Sequence, residues 1–185
     1  PAKPLGAYGD GGAVFTDDDK IADIIRSCRI HGMGNDKYEN IRIGMTGRLD
    51  SMQAVVLDAK LDIFQEELVL RNAVADRYQK LFGDIVDAPR LAVGATSSWA
   101  QYCIKLPKTS NRDHVIKHLG NSGVPTAIYY PVPMHRQPPY QNFPQSQCGL
   151  GVTADLCGRV LALPMHPYLV ESQQNHIAAE LHNAL

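Results

Sequence analysis

PAKPLGAYGDGGAVFTDDDKIADIIRSCR, residues 1–29, places a lysine at position 3, a glycine-rich turn, a short apolar run and an acidic helix start in immediate succession. Gly12-Ala13-Val14-Phe15-Thr16 reads as a short buried strand. Asp17, Asp18 and Asp19 supply an N-cap and an acidic first turn. Ile21, Ile24, Ile25 and Cys28 recur at helical spacing, so an amphipathic helix is predicted to end near Arg29. The stretch HGMGNDKYENIRIGMTG, residues 31–47, is polar and glycine-rich and reads as a long loop of the kind that carries function.

A second helical pattern starts near Leu49. Met52, Val55, Val56, Ala59 and Ile63 form one apolar stripe, and Leu70, Val74, Tyr78 and Leu81 continue it. About thirty residues of helical pattern fits an element running between two domains. GDIVDAPRLAVGATSS then reads as a connection. In WAQYCIKLP, Ala100, Tyr102, Ile104 and Leu106 alternate with Gln101, Cys103 and Lys105, the pattern of a half-buried strand. Ser110 or Asn111 can cap a helix with Val115, Ile116 and Leu119 on its inner face, ended by Gly120 and Gly123. VPTAIYYPVP reads as a second extended segment entering a proline-rich loop. A helix near 153–160, a turn in LALPMHPYL and a last helix from about Glu171 complete the chain. The order strand, helix, strand, loop, helix, helix implies a small α/β domain. The predicted boundary separates residues 1–85 from 86–185.

Composition excludes several classes. The chain has 185 residues, 44% hydrophobic and 20% charged, with a formal net charge of −1, ordinary for a globular protein. No basic block marks a nucleic-acid surface. No apolar run approaches the roughly 18 residues of a membrane span. Cys28, Cys103, Cys148 and Cys157 lie far apart without a CxxC pair, which reads as free thiols in a reducing cytoplasm. A chain opening without methionine reads as processed, engineered or truncated.

Few residues carry chemistry unaided. A lysine amine attacks aldehydes only when neutral, in a site that lowers its pKa; taken alone, Lys3 reads as a solvated charge. The turn GAYGDGGA matches neither GxGxxG nor a P-loop. His31, just past a helix end, suits a dipole-favoured cap or a site role. Arg48 offers a bidentate fork for carboxylate or phosphate, or a surface ion pair. Tyr129, Tyr130 and His135 sit in IYYPVPMHRQP, where the tyrosines present hydroxyls to a polar ligand or pack the loop. His166 reads as a turn residue. No zinc spacing and no GxSxG is present.

Together, PAKPLGAYGDGGAVFTDDD, RIHGMGNDKYENIRIGMTGRLDSMQAVVLDAKL, GVPTAIYYPVPMHRQPPY and LALPMHPYL resemble the DegT/DnrJ/EryC1/StrS family of nucleotide-sugar aminotransferases. The resemblance implies fold type I, aspartate-aminotransferase-like, with pyridoxal 5′-phosphate as cofactor. Its nearest likeness is to enzymes that aminate the 3-keto position of a UDP-linked N-acetylhexosuronic acid for O-antigen or other surface polysaccharide. Lys3 matches the family lysine that tethers the cofactor and moves the substrate proton, with glutamate as the usual amino donor. The family GxNxR loop, whose asparagine touches the cofactor phosphate, is here Gly44-Met45-Thr46-Gly47-Arg48, with threonine in place of asparagine. Arg48 matches the family arginine and suits a uronic carboxylate. Tyr129 and Tyr130 match a substrate-contacting pair, and His31 lies in a loop lining the same cleft. Because that cleft draws on two chains, the resemblance implies a homodimer.

In this family a segment about as long again precedes the lysine. It holds the aromatic residue and the aspartate that grip the cofactor ring. The resemblance therefore implies a C-terminal portion: residues 1–85 as the end of the large cofactor domain with the interdomain helix, and 86–185 as the small domain. It predicts weak cofactor binding and no useful turnover for these residues alone. Two alternatives stand beside it, a relative catalysing dehydration or epimerisation and a non-catalytic paralogue. Lysine at position 3 disfavours the dehydratases, which carry histidine there; threonine at 46 is the mark favouring the paralogue.

Overall fold

The computed structural model describes residues 3–83 and 85–185. Pro1 and Ala2 of the opening stretch and Asp84 of the connection lie outside the described residues. Two compact units divide the chain, Pro1–Phe64 and Gln65–Leu185.

In the first unit, helix α1 spans Asp19–Cys28. Its start is fixed as the sequence predicts. The Asp18 carboxylate accepts the N–H groups of Lys20 at 2.8 Å and Ile21 at 3.2 Å, satisfying two of the donors that a helix start leaves free. The apolar stripe is less covered than predicted: Ile21 and Ile24 stand about half exposed, and Ile25 is half-buried. The run 12–16 is not a strand. Val14 is 70% and Phe15 92% exposed, and the first unit has no extended strand ladder among its described residues. An apolar run becomes a strand only when a neighbour pairs its backbone. Helix α2, Ser51–Phe82, is continuous over 32 residues and runs through the boundary between the units.

The second unit is built on a two-stranded antiparallel sheet, β1 (Tyr102–Lys105) with β2 (Val160–Leu163), in the register Tyr102–Leu163 and Lys105–Val160. The β1 alternation is as predicted, with Tyr102 and Ile104 fully buried. β2 is a correction. Its partnering apolar run follows helix α4 (Gly151–Arg159) without a turn residue between them, so the sequence offers no break where the strand begins. The predicted second strand, VPTAI, contributes a single bridge, Ala127 to Ala162, with N···O distances of 3.2 and 2.8 Å. Pro125 lacks a donor, and Pro131 follows six residues later, which leaves little backbone for a ladder.

Helix α3, Arg112–Asn121, starts at Asn111, whose side chain accepts from Asp113 and His114. Gly120 lies inside it. Gly123 takes φ +77° just past its end, and Val124 N–H then reaches back to the Leu119 carbonyl at 2.8 Å. Helix α5, Glu171–Ala184, packs on α3. The core gathers Val74, Tyr78 and Phe82 of α2 with Trp99, Tyr102, Ile104, Leu119, Leu161 and Leu181. Its centre is aromatic: the Tyr78 ring lies 5.1 Å from Phe82 and 5.0 Å from Tyr102.

Candidate active site

The first unit carries four of the six candidate residues. Lys3 is exposed and leads into a turn held by two side chains of α2. Gln53 Oε1 accepts the Tyr8 N–H at 2.8 Å, and the Lys60 ammonium donates to the Gly6 carbonyl.

The long loop is built around the end of α1. A helix leaves its last carbonyls without intrahelical partners. Here the loop supplies them: Ser27 O accepts from Gly32 at 2.9 Å, Cys28 O from Met45 at 2.8 Å, and Arg29 O from Gly47 at 2.8 Å. The buried Ser27 hydroxyl donates to Met33 O at 2.6 Å. Two glycines make this closure possible. A Cβ on Gly32, which sits at φ +76°, would meet Arg42 O at 1.7 Å. A Cβ on Gly44 would meet Gly32 N at 2.2 Å and Cys28 O at 2.6 Å. Only a bare backbone lets these arms touch.

The closure aligns His31 with Thr46. His31 takes a left-handed backbone, φ 59°, and its N–H donates to Met45 O at 3.0 Å. Thr46 bridges Ile30 in the antiparallel sense, and its Oγ1 lies 3.3 Å from His31 Nε2. Arg48 is exposed just past Gly47. Beside this loop an open cleft of about 850 Å³ is lined mainly by apolar groups, among them Val14, Phe15, Ile25, Met45 and Leu49. None of Lys3, His31, Thr46 or Arg48 lines it. The donor set nevertheless fits the two reactive ends of a phosphorylated aldehyde. Lys3 offers a primary amine for the carbonyl; the Thr46 hydroxyl and Arg48 guanidinium suit anionic oxygens.

The second unit carries Tyr129 and Tyr130. Both are exposed, with ring centroids 5.7 Å apart in an edge-to-face arrangement. His166 is a turn residue as read, its carbonyl accepting the Leu169 N–H at 3.3 Å. The sequence reading gave Gly32 no role and quoted Gly44 only as the start of GMTGR; the close approach that requires both glycines joins backbones twelve residues apart.

The architecture of both units recurs in solved aminotransferases of fold type I. A DegT DnrJ EryC1 StrS aminotransferase from Brucella abortus superposes with TM-score 0.94 at 45% identity, covering 99% of this chain and 48% of that one. DesV of S. venezuelae, solved with a ketimine intermediate, superposes with TM-score 0.89 at 30% identity over 98% of this chain and 48% of its own. In sequence, the chain is 41% identical over 184 residues to the UDP-2-acetamido-2-deoxy-3-oxo-D-glucuronate aminotransferase of Pseudomonas aeruginosa, covering 99% of this chain and 49% of that protein. Residues 1–182 match the DegT/DnrJ/EryC1/StrS aminotransferase family, and the chain belongs to it. It spans about half the length of the relatives it matches. Aminotransferases of this family depend on pyridoxal phosphate.

Proposed function

We propose that the protein is a pyridoxal-phosphate-dependent aminotransferase that converts a UDP-linked 3-keto-N-acetylhexosuronate to its 3-amino sugar, with glutamate as donor, for a surface polysaccharide such as O-antigen. The observation that carries this reading is the unbroken match over residues 1–182, with 41% identity to an enzyme named for that class of substrate. In this reading residues 1–85 belong to the large domain and 86–185 to the small one, the enzyme works in the cytoplasm, and a homodimer shares its active sites.

Bound pyridoxal phosphate supplies an electron sink for moving the amino group. The chain's own residues do the rest. Lys3 Nζ would hold the cofactor at its aldehyde carbon, with water as the leaving group, and would move the proton at the amino-bearing carbon of the substrate. The Thr46 hydroxyl would donate to the cofactor phosphate. Arg48 pairs with the uronic carboxylate through its planar fork. His31, Tyr129 and Tyr130 contact the sugar. The test is amination of the UDP-3-keto sugar by the protein expressed from its full reading frame, followed as 2-oxoglutarate release from glutamate. Activity abolished by Lys3→Ala supports the reading. No aminated product from any nucleotide-linked keto sugar overturns it.

A further inference from the structure

The loop beyond Tyr130 builds another cavity, lined by His135 and by residues given no role so far. Two 3-10 turns, Met134–Arg136 and Pro138–Tyr140, follow each other with Gln137 between them. Backbone bonds fix them: Arg136 N–H to Pro133 O at 2.9 Å, Gln137 N–H to Met134 O at 3.0 Å and Tyr140 N–H to Gln137 O at 2.9 Å. The Gln141 amide adds a bond to Arg136 O at 3.2 Å. This frame holds one wall of a cavity of about 460 Å³, lined by Met134, His135, Tyr140, Phe143, Gln145 and Thr153 among others.

Two aromatic rings stand at that cavity without belonging to the core. Tyr140 is 42% and Phe143 63% exposed. Their centroids lie 5.9 Å apart with planes inclined at 56°. The spacing is set by the chain itself, since Phe143 N–H donates to Tyr140 O at 3.2 Å. Rings held this way offer π-faces to a planar ligand, and every nucleobase has such a face. The polar lining suits the edge of a base. A carboxamide presents a donor and an acceptor side by side, as Gln145 does, and bases present the complementary pair. Arg136, exposed in the first turn, suits the oxygens of a diphosphate.

The reach is right. From Tyr130 to Met134 the chain spans at most about 14 Å. One extended ligand can therefore touch the tyrosine pair at one end and this cavity at the other. We infer that the cavity is the base subsite of a nucleotide-linked substrate: the nucleobase stacks on the face of one of the two inclined rings and meets the edge of the other, and Gln145 reads its edge. The inference rests on the nucleotide-sugar reading given above and assigns that substrate's far end to residues 134–153.

The probe is UDP, added to the protein expressed from its full reading frame and followed by NMR on the uracil H5 and H6 protons. Stacking moves both upfield. Tyr140→Leu and Phe143→Leu each weaken UDP binding by roughly tenfold or more and abolish the upfield shift. Gln145→Ala weakens UDP and UMP alike and leaves inorganic diphosphate unchanged. Both rings lie outside the core, so the variants keep the parent melting temperature. UDP binding no tighter than inorganic diphosphate, or unchanged in Tyr140→Leu and Phe143→Leu, overturns the assignment. These readouts need no turnover. An enzyme that aminates its sugar with an unaltered KM in Tyr140→Leu refutes the subsite and leaves the proposed function standing. Ring-dependent UDP binding without aminotransferase activity does the reverse.

Discussion

Two tyrosines packed ring against ring in the second unit should respond to the same mutation with opposite signs. Tyr78 and Tyr102 are both fully buried. The Tyr78 hydroxyl donates to the Pro164 carbonyl at 2.9 Å. The Tyr102 hydroxyl is buried with no hydrogen-bond partner among the described residues. Replacement by phenylalanine keeps both rings, with their 5.0 Å centroid contact, and removes only the hydroxyls. Tyr78→Phe loses a bond and strands a carbonyl, costing about 1–2 kcal/mol. Tyr102→Phe removes a buried polar group whose desolvation nothing offsets. It should be neutral or stabilise by about 1 kcal/mol. The two variants then differ by about 2 kcal/mol, which at a urea m-value of about 2 kcal/mol/M separates their midpoints by about 1 M. Trp99 reports the transition, being the chain's single tryptophan with its ring 5.6 Å from Tyr102. Alkaline titration gives a second reading. Burial, with a smaller contribution from Asp76, pushes the Tyr102 phenol up to about 12. The fold favours the neutral phenol, so this contribution is intact below the ordinary tyrosine pKa of about 10 and is lost as pH climbs from there to about 12. Tyr102→Phe should flatten that decline. Equal destabilisation by both substitutions would mean that the Tyr102 hydroxyl is hydrogen-bonded in the folded protein.

Three further outcomes are expected. Gly44→Ala drives a Cβ to 2.2 Å from Gly32 N; the amides of His31, Gly32 and Met45 should exchange about tenfold faster or more, while Gly12→Ala, with nothing within 4 Å, changes nothing in a hydrogen-exchange comparison. The Glu180 carboxyl is held below the usual carboxylate range by the Ser122 hydroxyl at 2.7 Å, then by His118 at 2.9 Å; this stabilisation is present above about pH 4.3 and fades as pH falls through the depressed value, so Glu180→Gln should show a shallower loss of melting temperature in acid than the parent. Thr46→Asn restores the amide that the family loop carries; with the protein from its full reading frame, pyridoxal phosphate affinity should change by less than tenfold, under about 1.4 kcal/mol, and a much larger gain in a fluorescence titration would mark Thr46 as a decayed site residue.

What the sequence disclosed followed how local the cause was. Asp18 and Asn111 cap their helices through bonds to residues two and three positions on, and both were legible. So was β1, whose alternation needs only its own residues. The failures depend on partners. Val14 and Phe15 have strand propensity but no pairing neighbour, and they stand exposed. Val160–Leu163 pairs with β1, yet in sequence it merges into the helix before it. The site divides the same way. Lys3, Thr46 and Arg48 became candidates through motif order. The 3.3 Å approach of Thr46 to His31 depends on Gly32 and Gly44 letting two distant backbones meet, and no local pattern reports that. No pattern in the sequence singled out Tyr140 and Phe143; their exposure and the cavity beside them belong to the folded loop.

The central claim is that Lys3 is the residue that holds the cofactor. It is tested most directly by incubating the protein from its full reading frame with pyridoxal phosphate, fixing the linkage with borohydride and mapping the pyridoxyl label by peptide mass spectrometry. The label is expected on Lys3 and lost in Lys3→Ala, with no other lysine modified to a comparable extent. A label spread over surface lysines, or a dominant label elsewhere with Lys3 unmodified, would contradict it.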